Sequence, residues 1–189
     1  MAINTLYLDN GVISSIKETY NKQRPKNIRL EKFFQSPVFL LLQKRLCNSE
    51  YSLKFSPYKC KYSITHLKEI DSFIHGQYFK KIIEQIIELK NYKIKYEIRK
   101  FEPGNYTLVH DSEKEKAGID FFIDFSKNGR NYGGYTSYLT ETDELIALNP
   151  MQNTISFIER KNGVMRYTKY VTSQQKYPIV QVSGTISKK

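Results

Sequence analysis

An α+β fold, with supporting helices first and an antiparallel β-core after them, is predicted by three features of this sequence. The spacing of apolar residues changes from a helical to an alternating period at Tyr92. About eight short strand-like runs follow between turn signals, the pattern of a β-sandwich, jelly roll or barrel. The chain holds 15 Tyr and 11 Phe but no Trp, which suits flat rings packed across strands. At 189 residues a single domain is expected, with 1–91 mainly helical and 92–189 the β-core.

Leu6-Tyr7-Leu8 reads as a short strand before the turn Asp9-Asn10-Gly11. Val12, Ile13, Ile16 and Tyr20 then fall at helical spacing, up to a polar break around Pro25. Ser36-Pro37 opens a second helix, with Pro suited to the first helical position and Ser to the cap, and Asn48-Ser49 ends it. Segment 50–64 reads as extended or irregular. From His66 to Lys90 one helix is expected, since Ile70, Phe73, Ile74, Phe79, Ile82, Ile83, Ile86 and Ile87 share one face. His66 and His75 lie on it as surface or packing residues.

Tyr92, Ile94, Tyr96 and Ile98 alternate with Lys93, Lys95, Glu97 and Arg99, a half-buried strand. Strands are then expected over 106–110, 119–125, 135–139, 144–148, 154–159, 164–172 and 179–186. Asn162-Gly163, between two alternating runs, is the strongest hairpin signal. Gly133-Gly134 permits a tight bend. Asp120 and Asp124 share a face and read as part of a solvated strand surface.

The net charge of +11 is uneven: residues 1–95 hold 17 Lys+Arg against 8 Asp+Glu, and 96–189 hold 13 against 11. The basic first half offers a surface to RNA or another polyanion, or only a solvated face. Cys47 and Cys60, with no CxxC, suit a reduced intracellular protein, and a single disulfide stays open. The start has no signal-peptide pattern and the longest apolar run, Val38–Leu42, is too short to span a bilayer. A soluble, cytoplasmic protein is the expectation. The glycines precede a strand and not a helix, against a dinucleotide fingerprint, and Ser112 near His110 forms no nucleophile elbow.

The stretch YEIRKFEPGNYTLVHDSEKEKAGIDFFIDFS, then YGGYTSYL, then the Asn149-Pro150 turn with NTISFIERKNGVMRYTKYV, then VSGTI, resembles the 2-oxoglutarate/Fe(II)-dependent oxygenases of prolyl hydroxylase type. The likeness extends to the branch with ribosomal-protein hydroxylases and archaeal relatives, and it covers roughly residues 70–186. It implies a double-stranded β-helix (jelly roll), iron and 2-oxoglutarate as cofactors, and hydroxylation of a protein side chain. That chemistry takes two His and one carboxylate on one face of the metal, plus an Arg that grips the 2-oxo acid.

Transferred residue by residue, the resemblance puts His110 at the first metal histidine, with Asp111 beside it as an incomplete set. Ser112 stands where the carboxylate belongs and Ser173 where the second His belongs, and no His follows His110. The last strand lacks the Arg, so Tyr106, Arg166 and Lys176 are the candidates for a 2-oxo acid, with Ser112, Tyr135 and Ser173 as pocket residues. The resemblance thus implies a divergent or inactive oxygenase. The alternative is a non-catalytic protein- or RNA-binding module using the pocket and the basic first half, with tyrosines to stack on bases.

Overall fold

A computed structural model of the protein describes residues 3–109, 116–127, 129–140 and 143–188. Helix α1 (Asn10–Lys22) is capped by Asp9, whose carboxylate accepts from the Val12 amide at 2.9 Å. Strand β1 (Asn27–Glu31) precedes α2 (Ser36–Cys47), which carries Pro37 in its first turn and Lys44 and Arg45 in its last. The hairpin β2 (Ser52–Ser56) and β3 (Cys60–Thr65) leads to α3 (Lys68–Ile74) and α4 (Gln77–Ile82). Eight strands complete the chain: β4 (Tyr92–Phe101), β5 (Tyr106–Thr107), β6 (Gly118–Asp124), β7 (Thr136–Leu139), β8 (Glu144–Leu148), β9 (Thr154–Arg160), β10 (Met165–Thr168) and β11 (Ile179–Lys188).

The strands form two facing antiparallel layers. One has the order β1-β9-β6-β11-β4, the other β5-β10-β7-β8. Strand β3 pairs with both β4 and β5 and so joins the layers into one curled sheet. This is the jelly-roll order, in which successive strands from β4 on alternate between layers, apart from the paired β7 and β8.

Alternation along the strands sorts the residues. On β6, Phe121 and Ile123 face the helices, with Ile155 and Phe157 of β9 and Val180 and Val182 of β11. Phe79 of α4 sits 5.1 Å from Phe121, ring to ring. Burying such a side chain contributes about 2–3 kcal/mol. The opposite face of β6 puts Asp120, Phe122 and Asp124 between the layers. Asp120 is 0% exposed and Asp124 4%, so the face expected to be solvated is interior.

Several local expectations change. Thr5–Leu8 is a single tight helical turn, not a strand, because Asn4 caps it by accepting from the Leu6 amide. The long helix from His66 breaks at Gly76, where a Cβ would stand 2.8 Å from the Ser72 carbonyl oxygen. Its apolar face is nevertheless continuous, since Ile70, Phe73, Phe79, Ile82 and Ile86 are all buried. Segment 50–64 holds a true hairpin whose alternation is hidden because β2 is exposed at nearly every position.

Of residues 106–110, only Tyr106 and Thr107 pair among the described ones, and of 164–172 only 165–168. Asn162-Gly163 is a turn, with Gly163 at φ +81°, but it closes no hairpin. Both edges of β9 are already taken by β1 and β6, so the chain crosses to the other layer as β10. Cys47 and Cys60 are free thiols. Among the described residues, no helix is long and apolar enough to cross a membrane.

Candidate functional site: a polar cavity between the layers

A cavity of about 430 Å³ opens between the layers at the end closed by the β2–β3 hairpin. Its walls are Thr107 of β5, Phe122 of β6, Thr136 of β7, Arg166 and Thr168 of β10 and Ser183 of β11. Lys54 and Tyr62 from the hairpin, with Arg99 of β4, close one side. Interior positions of a jelly roll are ordinarily filled by apolar side chains. Here hydroxyls and cations share the walls with Phe122, Leu108 and Cys60.

Two carboxylates organise the charge. Glu97 accepts from Lys54 Nζ at 2.5 Å, from Tyr62 Oη at 3.0 Å and from Arg99 Nε at 2.9 Å. Burial alone would raise its pKa, but Arg99 and the hydrogen bonds from Lys54, Arg99 and Tyr62 prevail and hold it at about 2.

Deeper in, Asp120 accepts from Arg160 Nε at 2.9 Å and Thr185 Oγ1 at 2.7 Å within its own layer. From the facing layer come Tyr138 Oη at 3.0 Å and the Arg166 guanidinium at 3.0 Å. Desolvation opposes ionisation of Asp120, yet the Arg166 and Arg160 charges outweigh it and keep the carboxyl below its usual range. The Tyr138 phenol is pushed well up by burial and by Asp120. Ser183 Oγ is buried with no hydrogen-bond partner among the described residues. A buried hydroxyl in a polar cavity calls for a water or a ligand atom.

His110, Asp111 and Ser112 lie outside the described residues. Arg166 lines the cavity, but its guanidinium is committed to Asp120. Tyr106 stacks on Tyr170 at 6.5 Å, away from the cavity, and its neighbour Thr107 faces inward instead. Tyr135 is half-buried outside the cavity, and Ser173 and Lys176 are exposed, the latter over the Tyr177 ring at 5.4 Å. The proposed site residues among those described therefore do not converge, Arg166 apart. Lys54, Tyr62, Glu97, Arg99, Asp120 and Arg160 form the charged network that sequence reading missed. The inward phase of Glu97, Arg99 and Asp120 was the available signal, but nothing local says that this face is covered.

An iron centre of the facial-triad type needs two imidazoles and a carboxylate. The chain has three histidines. His66 and His75 are exposed beside Asp71, which accepts from Tyr96 Oη at 2.7 Å on the helix side of β4. The described cavity walls offer ammonium and guanidinium groups, which have no lone pair to donate, neutral hydroxyls and the single thiol of Cys60. No group of three His, Cys, Asp or Glu suited to a metal occurs among the described residues. The described residues do not fit the iron centre, and they suit binding of an anionic or hydroxylated group.

The family described as "Oxoglutarate and iron-dependent oxygenase degradation C-term" matches residues 57–189. Prolyl 3-hydroxylase OGFOD1 of Mus musculus is 35% identical over 79 residues, 40% of this chain and 14% of that protein. The Xenopus laevis protein of the same name is 31% identical over 88 residues, 42% of this chain and 17% of that one. The chain thus spans less than a fifth of the curated relatives it matches.

Among solved structures, a 2OG-Fe(II) oxygenase family oxidoreductase from Burkholderia pseudomallei superposes with a TM-score of 0.70 at 8% identity, over 95% of this chain and 92% of that one. A prolyl-4-hydroxylase from Pseudomonas putida gives 0.67 at 11% identity, over 94% and 99%. At such identities the likeness concerns the fold, and it agrees with the strand order described above.

Proposed function

The chain belongs to the oxoglutarate and iron-dependent oxygenase degradation C-terminal family, and from that premise we propose that it is a non-catalytic recognition module on an oxygenase jelly roll. Its inter-layer cavity binds an anionic or hydroxyl-bearing group of a protein partner instead of iron and 2-oxoglutarate. The observation that carries this reading is the identity of the inward residues. Thr107, Thr168 and Ser183 line the strands beside the cavity, and the cavity's two arginines are neutralised by Glu97 and Asp120. Sites, not folds, carry chemistry, and this site has groups for binding and one thiol, Cys60, with no metal-ligand set among the described residues. The family's own description concerns a C-terminal region, which suits a module that serves a catalytic domain elsewhere.

RNA as the partner has less support. The exposed tyrosines Tyr58, Tyr78, Tyr170 and Tyr177 come from separate loops and a helix, not from one sheet face able to stack successive bases.

The test is anaerobic titration of the purified chain with Fe(II) or Mn(II), followed by 2-oxoglutarate, with bound metal measured by mass spectrometry and succinate by chromatography. The expected result is less than about a tenth of an equivalent of bound metal and no succinate above the protein-free rate. One equivalent of metal with saturable, 2-oxoglutarate-dependent succinate release overturns the reading and restores an active hydroxylase built on His110.

A further inference from the structure

A second cleft, of about 1000 Å³, lies at the other end of the first layer and shares Arg166 with the inter-layer cavity. Its floor crosses the sheet through Ser187 and Thr185 of β11 and Gly118 of β6. The register sets Lys93 beside Ser187 and Lys95 beside Thr185, so both lysines rise from β4 on the same face as that floor. Lys116, ahead of β6, and Lys161, after β9, stand on the far side, and Lys188 closes the end. All five are exposed.

These lysines differ from several others in one respect. Lys17, Lys22, Lys54, Lys80 and Lys100 each contact a carboxylate within 4 Å. None of the five cleft lysines has such a partner among the described residues. The cleft's own acids among those residues are Glu88 and Glu159, and Glu88 is held by Lys17 at 2.7 Å. A concave surface with unbalanced charge of one sign focuses its field on an oppositely charged ligand.

Shape and lining decide which ligand. Among the described residues no aromatic ring lines the cleft, so it offers no stacking platform for bases. It does offer partly exposed aliphatic side chains, Ile87, Leu89 and Ile119. Lys93 and Lys95 are two residues apart on a strand, about 6.8 Å, which is also the spacing of alternate side chains in an extended peptide. From β4 to β9 is three strand spacings, about 14 Å, or the reach of about four extended residues.

We propose that this cleft seats an extended acidic segment of a partner protein. Carboxylates at alternate positions meet Lys93 and Lys95, and later ones meet Lys116 and Lys161. An aliphatic side chain between them packs on Ile87 and Leu89. The proposal does not depend on whether the inter-layer cavity holds iron.

Fluorescence anisotropy of the full chain with a labelled peptide of about eight residues, alternating glutamate and leucine, tests it. Saturable binding is expected, weakened about tenfold or more by Lys93→Glu/Lys95→Glu. The same loss is expected from Lys116→Glu/Lys161→Glu, which probes the far wall should the first pair fail to fold. Lys80→Glu/Lys81→Glu makes the same change in net charge away from the cleft and should alter binding less than about twofold. Equal losses in all three variants would reduce the effect to diffuse charge and overturn the site. Tighter binding of an oligouridylate of equal length, with the same cleft dependence, would replace the peptide by RNA and overturn the assignment, as would no saturation of the peptide at millimolar concentration.

Discussion

Tyr138 on β7 donates its phenol proton to Asp120 on β6 at 3.0 Å, across the space between the two layers of the jelly roll. The same carboxylate also binds Arg160 of its own layer and Arg166 of the other. A layered β-fold is usually tied together by apolar interdigitation. Here Phe122, Ile158 and Val164 do that around Tyr138, and a buried ion triad adds direction to the contact.

Replacing Asp120 by Ala takes away the carboxylate that two nearly buried guanidiniums share. The expected cost is about 3–5 kcal/mol, because the loss of one partner strands the other in a low-dielectric interior. Tyr138→Phe removes the hydrogen bond to Asp120, which keeps its other donors, together with the phenol's hydrogen bond from Arg166, and should cost about 1–2 kcal/mol. Urea unfolding followed by circular dichroism measures both. Equal, sub-kilocalorie effects would mean that the triad contributes nothing to holding the layers.

The triad also marks the limit of what the sequence reveals. The alternation that begins at Tyr92 correctly separates the helix-facing Ile94 and Ile98 from the inward Lys95, Glu97 and Arg99. The same rule puts Asp120 and Asp124 on one face. A polar face reads as solvated unless its partners are known, and Asp120 finds Arg160 forty residues away. Pairing at that distance leaves no local pattern. The broken helix at Gly76 is a milder case: the glycine is visible in the sequence, but the unbroken apolar face on either side of it outweighs it. The crossing after β9 is hidden for a third reason. An Asn-Gly turn specifies a reversal of the chain, and only the occupancy of neighbouring strand edges decides whether the reversal pairs its own flanks.

Gly133 and Gly163 provide a paired test of what the glycines are for. Both have positive φ, +97° and +81°. A Cβ on Gly133 would fall onto the Tyr170 carbonyl oxygen, whereas one on Gly163 would meet nothing within 4 Å. Gly163→Ala should therefore cost only the left-handed strain, about 1–2 kcal/mol. Gly133→Ala adds a backbone clash in the loop that closes over Val171, for a total above about 3 kcal/mol. Thermal melts of the two variants give the comparison, and equal losses would show that the close approach to Tyr170 carries no weight.

Glu97 sets the acid limb of stability. Its folded pKa of about 2 lies below the ordinary glutamate value of 4.5. The unfolded chain therefore binds this proton first as pH falls, and the stabilisation present above 4.5 disappears between 4.5 and about 2. In Glu97→Gln that part of the acid-dependent loss should be absent, so the gap in unfolding free energy between wild type and variant narrows as pH drops from about 5 to about 2.5. A gap that stays constant over this range would contradict the network around Glu97.

Asp124 acts in the opposite direction and at higher pH. Full burial raises its pKa from 3.8 to about 6, despite amide hydrogen bonds from Ser126 at 2.7 Å and Met151 at 3.2 Å and the nearby Arg29 charge. The folded state then holds this proton more tightly than the unfolded chain does. The stability it contributes is complete below 3.8 and is lost as pH rises to about 6. A rise of that size corresponds to a loss on the order of 3 kcal/mol by about pH 7. Asparagine at this position imitates the protonated carboxyl in size and in offering both an acceptor and a donor. Asp124→Asn should match the wild type near pH ~4 and exceed it by about 2–3 kcal/mol at pH ~7.5, once the carboxylate must stay charged inside the roll. Chemical unfolding at the two pH values decides the matter. A variant less stable than wild type by the same margin at both would mean that the two amide bonds, and not the burial of charge, dominate at Asp124.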